Sequence, residues 1–147
     1  MMGRVQIEEL TIALWPQVLS LMGSTPGICV RDADTAERVA AYLARNPGMS
    51  FVALHEGRVV GCAMCGHDGR RGYLHHVVVE PAHRRAGVAT ALVERCLGRL
   101  DEAGIAKCHL DVLVTNEAGK AFWARRGWKR RDDVQKFSMI RSGGPNA

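Results

Sequence analysis

A short basic segment that leads into a helix carries the clearest chemical signal in this sequence. Residues 77–92 have the sequence VVVEPAHRRAGVATAL, in which an apolar run ends before Pro81 and two arginines precede Gly87. The N-terminus of a helix leaves backbone N–H groups without acceptors and carries partial positive charge, so it binds anions such as phosphate. Small residues there let a pyrophosphate approach the backbone. The segment predicts an anion-binding turn; the alternative is an ordinary strand-to-helix turn that happens to be basic.

Basic residues cluster at two places along the chain. The net charge is +5, residues 120–131 contain six lysines and arginines and no acidic residue, and residues 83–85 form a second cluster. Such clusters attract nucleic acid, a phosphorylated cofactor or an acidic partner. They are equally typical of solvated helix and loop faces, so charge alone leaves these alternatives open.

The composition is that of one small globular domain. The chain has 147 residues, of which 47% are hydrophobic and 24% charged, values that exclude a disordered chain or a coiled coil. No run reaches the ~20 apolar residues of a membrane helix, so no membrane partner is expected. Residues 1–10 contain glutamates and lack a signal-peptide core. Five cysteines, an odd number without regular spacing, favour a reduced, cytoplasmic protein.

Two motifs that suggest metal binding have simpler interpretations. Cys62-x-x-Cys65 has the spacing of half a zinc site, but it lies in a predicted apolar strand and has no second pair. A buried structural role is therefore predicted for both cysteines. His75 and His76 are neighbours on a predicted strand and so point to opposite faces, which does not suit one metal ion. No metal site is predicted.

Hydrophobic periodicity and turn residues divide the first half of the chain into short elements. Turns are predicted at Glu56-Gly57 and Asp68-Gly69, and Asp34 is expected to cap the second helix. The predicted elements are a strand over Val5–Leu10, helices over Leu14–Met22 and Thr35–Arg45, and strands over Ser50–His55, Arg58–Cys65 and Gly72–Val79.

A long amphipathic helix opens the second half. Apolar residues recur at helical spacing from Val88 to Leu100, and Gly104 is expected at the C-terminal end. The remaining elements are a strand over His109–Val114, a helix over Glu117–Arg126 and a strand over Val134–Ile140. This order predicts an α+β fold in which helices flank one mixed sheet. We expect one domain over residues 1–141 and a flexible tail over residues 142–147.

Two motifs resemble one enzyme family. Arg84-x-x-Gly87-x-Ala89 matches the Q/R-x-x-G-x-G/A signature of the GNAT acetyltransferase superfamily, in the expected strand–loop–helix context. Downstream, Asn116 followed by Ala121-Phe122-Trp123 and Gly127-Trp128 resembles a second family segment. The resemblance covers residues 50–139, and the turn at residues 68–72 also resembles a bacterial YpeA-like subgroup.

The resemblance implies acetyl transfer from acetyl-coenzyme A to a primary amine, in a ternary complex and without a covalent enzyme intermediate. It implies a mixed, mostly antiparallel sheet whose strand at His76–Val79 splays from its neighbour and pairs with the pantetheine arm. The pyrophosphate is expected on residues 84–89, and Lys120 or Arg125 is expected near the 3′-phosphate. The implied cofactor-binding residues are Val77, Val78, Val79, Arg84, Arg85, Ala86, Gly87, Val88, Ala89, Thr90, Asn116, Lys120 and Trp123.

The resemblance also implies candidate catalytic residues. Alternation places Tyr73, His75, Val77 and Val79 on one strand face and His76 on the other. An ammonium acceptor must lose a proton, and the intrinsic pKa of histidine suits His75 to that task. Asp111 is similar to a carboxylate that family members use as a base. A cleft histidine and an edge salt bridge are the structural alternatives.

One position departs from the family pattern. The tyrosine that protonates the departing thiolate is replaced by Trp123, whose indole N–H is no practical acid. Tyr73 or water is the expected substitute; the alternatives are that the thiolate leaves unassisted or that acetyl transfer is slow or lost.

The sequence is consistent with three classes of function. The first is an N-acetyltransferase acting on a small-molecule amine, a protein terminus or a lysine. The second is a sensor that binds acetyl-coenzyme A without turnover, which Trp123 makes conceivable. The third, a basic nucleic-acid-binding domain, is disfavoured because it leaves the spacing of Gly87 and Ala89 unexplained. Pairing of the last strand with a second copy would give a homodimer.

Overall fold

The computed structural model describes residues 4–147. These residues fall into two compact units, residues 4–110 and residues 111–147, and each unit is described by itself. The first unit contains the whole sheet and three helices, and the second contains one helix. None of the helices in residues 4–147 has the length and apolar character needed to cross a bilayer.

The first unit is built on a five-stranded sheet. Its strands lie in chain order, and the first four pair antiparallel while the last two pair parallel, so the mixed, mostly antiparallel sheet is confirmed. The strands are β1 (Val5–Glu9), β2 (Phe51–His55), β3 (Arg58–His67), β4 (Gly72–Val79) and β5 (Cys108–His109).

Both predicted hairpin turns are present. Glu56 and Gly57 join β2 to β3 with φ values of 51° and 76°, the left-handed pair that a type I′ turn requires. Between β3 and β4, the Asp68 carboxylate accepts hydrogen bonds from the backbone N–H groups of Arg70 and Arg71 at 2.8 and 2.9 Å. These two bonds lower the pKa of Asp68, because they stabilise its ionised form.

Helices α1 (Trp15–Gly23) and α2 (Ala36–Arg45) pack on one face of the sheet, and α3 (Val88–Glu102) packs on the other. The first face holds a buried apolar cluster that includes Trp15, Val39 and Cys62. On the second face, a Cβ atom built on Gly61 or Gly72 would touch a leucine of α3.

The N-cap of α2 lies one residue after the predicted position. Thr35, not Asp34, caps this helix, and its side chain accepts a hydrogen bond from the N–H group of Arg38 at 3.3 Å. Asp34 lies in the short 3-10 turn Asp32–Asp34, where its own carboxylate accepts the N–H group of Arg31 at 2.8 Å. The Asp34 carboxylate therefore bonds to the backbone of Arg31 and not to the first turn of α2.

Strand β4 contains one residue more than the part of β3 that it pairs with. Met64 pairs with His75 and Cys62 pairs with Val78, so three steps on β4 oppose two on β3. This β-bulge includes His76, whose φ is +48°. The predicted alternation is wrong here, because Val78 rather than Val79 shares the apolar cluster with Cys62 and Met64.

The bulge also corrects the predicted orientation of His76. Its ring contacts Asp34 in the connection between α1 and α2, on the helix side that His75 also faces. The two histidines therefore do not point to opposite faces. A regular strand would separate them, but the extra residue rotates the chain between them.

Two predicted strands are shorter or absent. The strand expected over His109–Val114 is limited to Cys108–His109, because the ladder with β4 ends at the pair of Tyr73 and His109. Residues 134–140 form no strand in the described chain, and Phe137 is 91% exposed. The strand on which the homodimer prediction relied is therefore not found. The second unit has one helix, α4 (Glu117–Arg125).

Two glycine-to-alanine substitutions should have opposite effects on stability. A Cβ atom on Gly72 would lie 2.6 Å from the Cδ1 atom of Leu100, a buried side chain of α3, so Gly72→Ala is expected to lower the free energy of unfolding by about 1–3 kcal/mol. Gly98 lies inside α3 with nothing within 4 Å, so Gly98→Ala should raise it by about 0.5–1 kcal/mol. Urea denaturation measures both. A Gly72→Ala protein as stable as the wild type would contradict this packing.

Candidate functional site

The turn between β4 and α3 presents backbone donors to an open space. Arg85 and Gly87 both have positive φ, 64° and 79°, a backbone form that points successive N–H groups to one side. Within residues 4–147 the N–H groups of Gly87, Val88 and Ala89 have no acceptor. A Cβ atom on Gly87 would meet nothing within 4 Å. The predicted anion-binding turn is thus a helix N-terminus with unpaired donors and room in front of them.

Side-chain contacts hold this turn in place. The Nε–H group of Arg84 donates to the carbonyl oxygen of Val79 at 3.0 Å, which anchors the loop to the end of β4. Glu80 is the acidic residue that directly precedes the turn, and it forms a bidentate ion pair with Arg58. Arg58 lowers the pKa of Glu80 through this pair. Because its charge is compensated, Glu80 opposes an approaching anion less, while Arg85 stays exposed beside the turn.

The edge of β4 that leads to the turn is open on one side. Val78 and Val79 pair with β3, but the parallel ladder with β5 contains only the pairs of Gly72 with Cys108 and Tyr73 with His109. No other strand of residues 4–110 pairs with β4 on that side. Beyond Tyr73 this edge therefore has no strand partner and can receive an extended ligand, in the way that a strand is added to a sheet edge. The carbonyl oxygens of His76 and Val79 already accept from Cys62 and Arg84.

A small cleft lies beside the predicted catalytic strand. Its volume is about 190 Å³. His75 and Tyr73 line it with nearly parallel rings, at an interplanar angle of 14° and a centroid distance of 6.4 Å. The Tyr42 ring meets His75 edge-on at 6.2 Å. The full lining is Tyr42, Arg45, Asn46, Gly66, His67, Asp68, Tyr73 and His75.

The hydroxyl group of Tyr42 is a buried donor in this cleft. It has no hydrogen-bond partner among residues 4–147. Burial raises the pKa of Tyr42, so the phenol stays protonated and can donate to a bound molecule. The cleft thus combines a titratable imidazole with polar groups that have bonding capacity left.

His109 is a functional candidate that sequence reasoning missed. Its ring centroid lies 5.7 Å from that of Tyr73, because the two residues pair directly in the parallel ladder of β4 and β5. Tyr73 therefore has an imidazole on each side. The missing information was the register, which places position 109 opposite position 73; the histidine itself was visible as the first residue of a predicted strand.

The other candidate residues belong to the second unit and have contacts there. Asp111 forms an ion pair with Lys136 and is largely exposed. Asn116 caps α4 and accepts the N–H group of Gly119 at 2.9 Å. Lys120 pairs with Glu117 at 2.9 Å. For Asp111, this contact is a salt bridge, which is the structural alternative to a catalytic role.

Trp123 lies in an aromatic group on and beyond α4. Its ring meets Phe122 at a centroid distance of 4.9 Å and Trp128 at 5.1 Å, edge-on in both cases. Arg126 stacks over Phe122. The three aromatic side chains are half-buried and pack on one another, which favours a packing role over a stacking platform for bases.

The basic residues of positions 120–131 are partly neutralised by nearby carboxylates. Arg130 pairs with Asp132, Arg131 pairs with Asp133, and Lys120 pairs with Glu117. A surface whose cations already have anionic partners attracts a polyanion more weakly.

The cysteines are free, and in residues 4–147 no group of three or more potential ligands could hold a metal ion. Cys62 and Cys65 are both buried in β3, as predicted for a structural role. Burial raises the pKa of Cys62 to about 12. This thiol is protonated at neutral pH and is a poor nucleophile.

The chain belongs to the Acetyltransferase (GNAT) family, whose sequence model matches residues 15–128. This match confirms the resemblance that the two sequence motifs indicated.

Curated relatives carry the same general name. Acetyltransferase SG1711 of Sodalis glossinidius is 34% identical over 92 residues, which are 63% of this chain and 65% of that protein. Acetyltransferase ECA0875 of Pectobacterium atrosepticum is 38% identical over 76 residues, 52% of this chain and 54% of that protein. The chain thus spans less than two thirds of these two proteins. N-alpha-acetyltransferase 30 of Schizosaccharomyces pombe is 31% identical over 116 residues, 72% of this chain and 77% of that protein.

Solved structures show the same fold. The PaiA N-acetyltransferase of Thermoplasma acidophilum, in complex with coenzyme A, gives a TM-score of 0.78 at 16% identity and covers 90% of this chain and 94% of that one. Ard1 of Thermoplasma volcanium gives 0.75 at 19% identity, with coverage of 85% and 82%. At these identities the likeness concerns the fold, and it agrees with the sheet and helices described above.

Thiol labelling would test the burial of the cysteines. At pH 8 a thiol with a pKa of about 12 is ionised in about one molecule in ten thousand, so Cys62 should not react with a disulfide reagent in the native protein. Exposed Cys29 should account for the fast reaction and partly exposed Cys108 for a slower one, whereas the buried thiols of β3 should react only after denaturation in urea. The control is the double substitution Cys29→Ser with Cys108→Ser, which removes both phases. Labelling of the native double variant would show that solvent reaches a buried thiol.

Proposed function

We propose that the protein is an N-acetyltransferase that transfers the acetyl group of acetyl-coenzyme A directly to a primary amine. The observation that supports this most is the unpaired set of N–H donors at the start of α3, at the end of a strand with an open edge. That arrangement belongs to a chain of the acetyltransferase family. Donors of this kind suit a pyrophosphate, and the open edge suits an extended amide-containing arm.

The proposed cofactor site has three parts along the chain. Residues 84–90 bind the pyrophosphate, chiefly through the N–H groups of Gly87, Val88 and Ala89, with Thr90 at the first turn of α3. The edge of Val77–Val79 pairs with the pantetheine arm. Arg84 orients the loop through its bond to Val79, so its contribution is positional as well as electrostatic.

The family resemblance assigns three further cofactor contacts to residues of the second unit. Asn116 is proposed to contact the pantetheine arm, Lys120 the 3′-phosphate and Trp123 the arm near the sulfur. Asn116 and Lys120 already have intramolecular partners, Gly119 and Glu117, that a ligand would have to share or replace.

An ammonium acceptor loses two protons on its way to the amide, one before it attacks and one from the nitrogen once the C–N bond has formed; the departing thiolate takes up one proton, and one is released overall. Acetyl-coenzyme A supplies an activated acyl group on a thiol that is a fair leaving group. We propose that His75 takes the proton from the ammonium acceptor, so that the C–N bond can form as the C–S bond breaks. Tyr73 is proposed to return a proton to the thiolate, and His109, beside its ring, can hold or resupply that proton. Asp111 remains the alternative base.

The acceptor is proposed to be a primary amine that reaches the cleft beside His75. The volume of about 190 Å³ suits a small head group or one terminal residue rather than a whole macromolecular surface. Two curated relatives are named N-alpha-acetyltransferases, 30 in Schizosaccharomyces pombe and MAK3 in Arabidopsis thaliana, which makes peptide α-amines the first acceptors to try. Small-molecule amines and lysine side chains are the next.

A sensor of acetyl-coenzyme A without turnover is the second candidate function. Trp123 supports it, because the indole at this position cannot act as an acid. The two functions share the cofactor site and differ in thiol release: a sensor binds acetyl-coenzyme A and releases no coenzyme A thiol with any amine.

The placement of the pyrophosphate predicts the effect of a charge at Gly87. Gly87→Glu should abolish binding of acetyl-coenzyme A in calorimetric titration, because it puts a side chain and a negative charge in front of the donors and strains a residue whose φ is +79°. Gly98→Glu, the same change eleven positions along α3, is the matched control and should bind as the wild type does. Gly87→Asn, which tolerates positive φ, separates strain from charge. Retained affinity in Gly87→Glu would refute the placement.

The base assignment predicts a change in the pH profile. In His75→Ala, kcat/KM should fall about a hundredfold on the acid limb, because deprotonation of the acceptor then depends on solvent. Asp111→Asn should leave that limb unchanged if His75 is the base, and Asp101→Asn, an exposed carboxylate of α3, is the control for loss of charge. If neither His75→Ala nor Asp111→Asn alters the acid limb, proton removal proceeds through water.

A further inference from the structure

The bulge of β4 is held by a part-buried hydrogen bond between two side chains that the proposed reaction does not use. The Nε2–H group of His76 donates to the Oδ1 atom of Asp34 at 2.9 Å. Asp34 lies in the connection between α1 and α2, 42 residues earlier, and its side chain is only 8% exposed. A buried carboxylate with this position and partner is part of the structure rather than of the solvated surface.

Two further hydrogen bonds, besides the one to His76, fix Asp34 in place. Its Oδ2 atom accepts the N–H group of Arg31 at 2.8 Å, and its backbone carbonyl accepts the indole N–H group of the core residue Trp15 at 3.0 Å. The carboxylate therefore cannot follow the imidazole if β4 moves. The contact between Asp34 and His76 therefore links the connection between α1 and α2 to strand β4.

The backbone conformation of His76 needs such a contact to hold it. Its φ is +48°, a left-handed conformation that costs free energy for a residue with a Cβ atom. The Sγ–H group of Cys62 donates to its carbonyl oxygen at 3.1 Å, so the residue is fixed from β3 as well. Without the contact to Asp34, the chain would relax toward regular strand geometry and would lose the bulge.

We infer that Asp34 and His76 are a positioning pair: the hydrogen bond between them keeps His76 in its left-handed conformation and so holds the open edge of β4 in the shape that receives acetyl-coenzyme A. This inference rests on the proposed function. Neither side chain touches the reacting atoms; both act through the backbone of residues 76–79.

The test combines a broken pair with a backbone that no longer needs it. Asp34→Ala should weaken binding of acetyl-coenzyme A about tenfold in calorimetric titration, because binding must then restore a strained backbone. Adding His76→Gly should recover most of that loss, since glycine adopts positive φ without a side-chain partner. Asp34→Asn should stay close to the wild type, because its oxygen can accept from the N–H group of Arg31 while its NH2 group donates to the Nε2 atom of His76 in the other imidazole tautomer. Asp32→Ala, an exposed residue of the same turn, is the matched control.

The outcomes separate this inference from the proposed function. If Asp34→Ala binds as tightly as the wild type, or if His76→Gly in that background recovers nothing, the inference is wrong. If the wild type itself does not bind acetyl-coenzyme A, the proposed function fails. Amide hydrogen exchange without ligand then still decides the pair: exchange at residues 76–79 should be faster in Asp34→Ala than in Asp32→Ala, and equal rates would overturn it.

Discussion

The candidate site depends on a strand that is paired on one side and open on the other. β4 bonds to β3 along most of its length, but its ladder with β5 ends after two residue pairs. A buried strand with unpaired backbone groups is costly unless water or a ligand satisfies them. The one-sided pairing therefore fixes where an extended ligand can lie, and everything else in the first unit positions that edge.

Each neighbour of the edge is arranged by a different kind of contact. The catalytic candidates Tyr73 and His75 lie before the bulge, and Val79, which anchors Arg84, lies at the C-terminal end of the strand. The positive φ of Gly87 then turns the N–H groups of α3 outward. The proposed proton chemistry and the proposed phosphate site thus lie toward opposite ends of one strand, as a long ligand with a reactive tip requires.

Local signals in the sequence predicted local structure well. The turn at Glu56-Gly57 and the glycines that end or begin helices, Gly87 and Gly104, adopt the positive φ values that their residue types favour. The failures come from distant partners. The bulge at His76 depends on Asp34, and His109 comes beside Tyr73 only through the register of a parallel pair. For the same reason, the alternation of residues 134–140 is no evidence of a strand without a neighbouring strand to pair with.

The two halves of the proposed reaction make different demands on side chains. The phosphate donors are backbone groups, so their placement requires little more than a helix start, a glycine with positive φ and a short motif that sequence reading can find. In the proposed site, the amine is recognised by a cleft lined by side chains of three elements, including Tyr42 of α2 and His75 of β4, whose mutual distances are set by tertiary packing. A short motif can therefore specify the acyl donor, whereas the acceptor is specified only by the assembled cleft. This difference explains why the sequence indicates the class of reaction before it indicates the substrate.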